Sequence, residues 1–268
     1  MDVFGIASGK GGVGKTTVSI NLAVSLVMRG HKVMLFDADM GLANAQLALG
    51  CTTPFNFSHV ISGEKTLEEI IVTTRQGIRL VPGASGVQKL ASLDTLEAAA
   101  IVQAFSSLEE KIDYLIVDSA AGISSSVLTF MKASQRRLIV VRDEPSSIAD
   151  AYGTIKVLIN ECKLDEIYVL PNMVESQSAG SLLYNRINDV CTKFLGQPVK
   201  YLQSITHDEH MLAAARSYQS VLEAAPGGNA SRDFRKLAET LTLLNPSETP
   251  SSGLQFFFER IIAETQSK

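Results

Sequence analysis

Cysteine is scarce in this chain: Cys51, Cys162 and Cys191 stand far apart without paired spacing. That argues against a disulfide framework or a zinc site, and the three are expected to be buried or neutral thiols. Long apolar runs are missing too, and none reaches the roughly 18 residues that a membrane span needs. No basic n-region with a cleavage site precedes the first strand-like run, so a secretory signal is not expected and the chain is assigned to the cytoplasm. A long Lys/Arg cluster is also absent and the net charge is -4. Non-specific nucleic-acid binding, which rests on phosphate neutralisation, is therefore not expected, although a partner that itself binds DNA is compatible with this charge.

What is present is a chain of 268 residues, 46% hydrophobic and 19% charged, enough for a sizeable core in one large or two small α/β domains. Short β-branched runs at 3–7, 33–37, 78–82, 114–118, 138–142 and 167–171 alternate with longer amphipathic stretches, the pattern of βαβ units. Because these runs are apolar almost throughout, they read as strands covered on both faces. The fold expected is a three-layer α/β fold with a mostly parallel central sheet and helices on both faces. Helical periods are placed at 15–29, with Val18, Leu22 and Leu26 on one face and Gly30 as C-terminal cap, and near 94–108, 124–133, 147–162, 178–195, 208–217 and 231–244. Turn formers concentrate at 245–253, which divides the chain into a domain at 1–244, a linker, and a C-terminal amphipathic helix at 254–268. In that helix Leu254, Phe257, Phe258, Ile261 and Ile262 share one face.

The chemistry concentrates in Gly9-Lys10-Gly11-Gly12-Val13-Gly14-Lys15-Thr16, which fits G-x-x-x-x-G-K-[ST] between an expected strand and an expected helix. Glycines let successive backbone N–H groups turn toward phosphates, and the helix adds its positive end. Lys15 is expected to reach the β- and γ-phosphates, the Thr16 hydroxyl to bind Mg²⁺, and Thr17 to lie near the α-phosphate. The motif admits any residue at Lys10, so by itself it leaves open a solvated lysine. Asp37 and Asp39 close the second strand. Either they meet a cation and water, with Asp39 positioning the attacking water and Asp37 in the Mg²⁺ shell, or they are a helix N-cap and a surface acid. Asp118 ends an apolar strand and precedes the small-residue loop 119–123, an arrangement in which the acid reaches Mg²⁺ through water and the loop senses the γ-phosphate.

The string from Lys10 to Thr17 resembles the deviant Walker A ATPases of septum-site and plasmid-partition type, the MinD/ParA-like group. Further stretches look most like the flagellar number regulators of the FleN/FlhG type: Gly41-Leu42-Ala43-Asn44, residues 78–86, residues 118–123, residues 143–152, Asn172-Met173-Val174 and residues 254–262. The resemblance implies an ATPase whose Lys10 crosses an ATP-dependent homodimer to the partner's phosphates, with Lys10, Lys15 and Asp39 in catalytic roles. It implies an adenine contact from Asn172, and no N-K-x-D guanine motif is visible. It implies restraint of a flagellar master transcription activator, cooperation with a signal-recognition-type GTPase, and peripheral membrane contact through 254–262. A septum- or chromosome-positioning role shares this chemistry but calls for a basic surface or a lysine-rich C-terminal helix. The acids around Arg260 give no electrostatic help at anionic lipid, so membrane contact and docking on the protein's own surface or on a partner are both compatible with the segment. An electron-transfer relative of this fold would need cysteines in 118–133, which holds none.

Two departures from the resemblance stand out. Relatives that stimulate the GTPase carry a D-Q-A-like motif ahead of the first strand, and the numbering here starts at that strand, so either this activity is lacking or the numbered chain is incomplete. Thr206 stands where relatives have proline. His207 and His210, three apart, have no further clustered ligands and read as solvent-exposed.

Overall fold

A computed structural model describes residues 1–40, 43–84, 94–245 and 254–257. Its centre is a sheet in the order β3-β4-β2-β5-β1-β6-β7-β8. The long strands are β1 (Asp2–Ala7), β2 (Val33–Ala38), β5 (Tyr114–Ser119), β6 (Arg136–Val141) and β7 (Ile167–Val174); the short ones are β3 (Val72–Thr73), β4 (Arg79–Val81), β8 (Lys200–Tyr201) and β9 (Ile205–Thr206). Among the described residues every pairing is parallel except β3 with β4, and β9 pairs with β7 off the main path.

The strands read as unbroken apolar runs because successive side chains feed two different cores. Met34, Phe36, Leu115, Val117, Ile139 and Val141 join one core, while Val33, Leu35, Ile116, Leu138 and Val140 join the other. The first core is closed by α5 (Thr95–Ala104), α6 (Ser125–Ala133), α7 (Pro145–Asn160) and α8 (Gln177–Leu195). The second is closed by α1 (Lys15–Met28), α9 (His210–Arg216), α10 (Val221–Ala224) and α11 (Asn229–Thr242). Helices on both faces of a mostly parallel sheet give the three layers the sequence predicts. Short helices α2 (Ala45–Ala48), α3 (Phe57–Ile61) and α4 (Leu67–Ile70) fill the connection from β2 to β3. None of the helices among the described residues is long and apolar enough to cross a membrane.

The C-terminal expectation changes at its start. Leu254–Phe257 form no helical turn, and Phe257 has φ of 56°. Here the turn delivers both Phe256 and Phe257, fully buried, into an aromatic cluster between α5 and α6. Phe256 lies 5.0 Å from Phe105 and 6.4 Å from both Phe36 and Phe130, centroid to centroid, and its N–H donates to Ala133 O at 3.3 Å. Phe257 therefore does not belong to an exposed apolar face. Of the expected linker only Asn245 is described, its carbonyl accepting from the Arg136 guanidinium; Phe258, Ile261 and Ile262 lie outside the described residues, as do Gly41 and Leu42.

Candidate nucleotide site

The glycine-rich loop leaves β1 at the carboxyl edge of the sheet and enters α1 at Lys15, with Gly14 in the left-handed region at φ of 89° as the helix N-cap. A Cβ on Gly14 would lie 2.6 Å from Asn172 Nδ2, and that amide donates to Val13 O at 2.8 Å. Asn172 is therefore a buried brace of the loop and lies within β7, not after it. Lys15, nearly buried, directs its ammonium to Asp118 Oδ1 at 3.5 Å. Ser19, one helical turn on, donates to the same oxygen at 3.0 Å.

Asp118 and Asp37 face each other in register on β5 and β2, both 1% exposed. Burial, reinforced by the charge of Asp118 alongside, pushes the Asp37 carboxyl up to about 7. Its Oδ2 accepts from the N–H groups of Asn44 and Ala45, both at 2.9 Å, so this acid pins the loop that leaves β2. Asp39 falls beyond the last residue of β2, so strand alternation does not align it with Asp37; its N–H donates to Asp37 Oδ1 at 3.3 Å. Asp39, Thr16 and Thr17 are half-buried at the same edge. Asp118 Oδ2 is buried with no hydrogen-bond partner. An unsatisfied buried carboxylate oxygen beside a second acid and a lysine is the donor chemistry that a hydrated divalent cation fits.

The loop after β5 closes over this edge, the Gly122 N–H donating to Ser8 O at 2.8 Å. Lys10 diverges from Lys15. It is exposed, and its ammonium donates to Ser146 Oγ at 2.9 Å and lies 3.7 Å from Glu144 at the start of α7. The structure thus brings Lys15, Asp118, Asp37 and Asn172 together around the loop and turns Lys10 outward.

The chain as a whole is similar to known proteins. The family model for the AAA domain matches residues 1–169. The antiactivator FleN of Pseudomonas aeruginosa is 39% identical over 98% of this chain and 94% of its own length. The chain belongs to the MinD/ParA-like deviant Walker A ATPases. Its group is that of the flagellar number regulators, since the flagellum site-determining protein YlxH of Helicobacter pylori is also 35% identical over 96% of this chain and 88% of its own. Among solved structures, the septum site-determining protein MinD of Pyrococcus horikoshii, complexed with Mg-ADP, superposes with a TM-score of 0.76 at 26% identity over 90% of this chain and 96% of that one.

In this MinD-like ATPase several supporting residues escape sequence reasoning. Ser19 carries no motif signal, and Ser146 lies within the matching stretch 143–152 with no role attached to it there. Thr206 is tied to Asp233 of α11: the Thr206 N–H and hydroxyl donate to Asp233 Oδ2 at 2.9 and 2.6 Å, and Gln177 donates to Oδ1 at 2.9 Å. A proline there would lack the N–H. His207 and His210 are both exposed, and His210 contacts Asp208 at 2.7 Å.

Proposed function

We propose that the chain is an ATP- and Mg²⁺-dependent dimerising switch that limits flagellar number. The observation that carries the reading is the divergence of two lysines in one loop. Lys15 turns inward to the buried carboxylates, while the ammonium of Lys10 points away from its own phosphate seat. A cation on that rim is suited to a neighbouring protomer's phosphates, where charge develops during phosphoryl transfer.

In this reading the loop 9–16 and Thr17 hold the nucleotide, with Lys15 on the β- and γ-phosphates. Thr16, Asp37 and Asp118 organise Mg²⁺, and Asp39 orients the attacking water. Asn172, braced on Val13, holds the adenine side. Hydrolysis is slow, depends on the dimer and resets it. The partner restrained by the ATP form is a flagellar master transcription activator, with a signal-recognition-type GTPase as a second partner; the FleN relative, an antiactivator by name, supports the first. A septum- or chromosome-positioning role shares the chemistry, but the 39% identity to FleN over nearly the whole chain favours the flagellar one.

Mass in solution with ADP, ATP and a slowly hydrolysed analogue tests the switch. The native chain is expected to double its mass with the ATP forms only, and Lys10→Ala to lose the dimer-dependent hydrolysis. A native chain that stays monomeric with bound ATP refutes it. Failure of a flagellar activator to co-purify in any nucleotide state refutes the flagellar assignment.

A further inference from the structure

Resting on the proposal that Lys10 works in trans, we infer that Ser146 and Glu144 are positioning residues that aim Lys10 across the dimer. The start of α7 is a fixed platform. Pro145 occupies its first turn, and the Arg142 N–H donates to Ser147 Oγ at 3.0 Å. Glu144, at the N-cap position, makes no cap with its side chain. Its carboxylate lies instead between Arg142, at 3.2 Å, and Lys10, at 3.7 Å. The Ser146 hydroxyl accepts from Lys10 at 2.9 Å.

The platform and the loop are joined at the backbone as well. A Cβ on Gly9 would lie 2.3 Å from the carbonyl carbon and oxygen of Asp150, so the first residue of the loop rests directly on α7. A lysine side chain has four rotatable bonds and a mobile head. Two contacts from a rigid helix start restrict where that head goes. Ser146 is exposed and the Glu144 side chain is 40% exposed, and surface contacts of this kind contribute little to stability. Orientation is then the effect that remains, and it acts on the Lys10 of the same chain.

That cis relation supplies the test. In an equal mixture of Lys10→Ala and Asp39→Ala chains, only the mixed dimer contains a complete site, formed by the loop and Asp39 of the first chain and the Lys10 of the second. Steady-state hydrolysis of Mg-ATP is measured for this mixture. Ser146→Ala placed in the Asp39→Ala chain is expected to lower kcat about fivefold, the net worth of one hydrogen bond, with KM unchanged. The same substitution in the Lys10→Ala chain is expected to change nothing, Ser146→Thr to restore the rate, and Glu144→Gln to repeat the asymmetry. Equal effects from either chain, or none, overturn the positioning role while the trans reading stands. A mixture with no activity at all refutes the trans reading beneath it, and this inference falls with it.

Discussion

Three glycines of the phosphate loop meet three different environments, and an alanine series through them separates folding from binding. At Gly9 a methyl would sit 2.3 Å from the backbone carbonyl of Asp150, which cannot rotate aside. At Gly11 nothing lies within 4 Å and φ is not positive. At Gly14 φ is 89° and Asn172 Nδ2 is 2.6 Å away, so strain and contact combine. Overpacking a closed site costs about 1–3 kcal/mol, and Gly9→Ala is placed at the upper end because both neighbours are main chain. Gly14→Ala carries about 1–2 kcal/mol for the left-handed backbone alone. Gly11→Ala is expected to lie within about 0.5 kcal/mol of the parent. Urea unfolding of the nucleotide-free proteins reads these differences directly, and calorimetric titration with Mg-ADP then reads binding. Any affinity lost by Gly11→Ala reports contact with the ligand itself. A Gly9→Ala protein as stable as the parent, or a Gly11→Ala protein weakened by more than about 1 kcal/mol, would refute this account of the loop.

Phe256→Ala should cost about 3 kcal/mol by emptying the space among Phe36, Phe105 and Phe130, and a loss under about 0.5 kcal/mol in urea midpoints would show the tail to be undocked in solution. The Asp37 carboxyl titrates near 3.8 when unfolded and at about 7 when folded, so the native chain holds the extra proton between those values. Its contribution to stability is complete below about pH 4 and disappears as pH rises through 7; in midpoints measured at pH 5, 6.5 and 8 without nucleotide, Asp37→Asn should flatten the decline, and identical profiles would refute the assignment. Thr206→Val keeps the N–H but removes the hydroxyl from Asp233, with an expected cost of about 1–3 kcal/mol, checked by thermal unfolding; an unchanged midpoint would count against the Asp233 clamp.

The layers of this fold are legible because a strand covered on both faces has no polar alternation to conceal it, and each run from 3–7 to 167–171 became a strand within a few residues. The two-residue strands β3, β8 and β9 were not legible, since two residues carry no period. Two short helices do carry a local signal: Thr66 with Glu69 and Ser220 with Glu223 form capping boxes, the S/T-x-x-E spacing visible in the letters. For the site, local motifs locate Lys15 and Asp118 on the right elements. They are silent on what depends on strand order, namely that Asp37 and Asp118 stand side by side, that Asn172 reaches Val13, and that Lys10 reaches Ser146. Chain separations of 81, 159 and 136 residues lie beyond any local pattern; the first is the difference of the two numbers, the others separate the bonded atoms.

The docking of Phe256 against Phe36 bears on how the end of this chain is to be studied. Phe36 immediately precedes Asp37, and Ala133, which receives the Phe256 N–H, terminates the helix that begins just after the loop at 119–123. A truncation at residue 245 would therefore open the aromatic core on the face of β2 opposite the Asp37 carboxylate. A stop codon placed directly after Phe257 keeps that aromatic plug, so a phenotype of that cut is ascribed to residues from 258 onward.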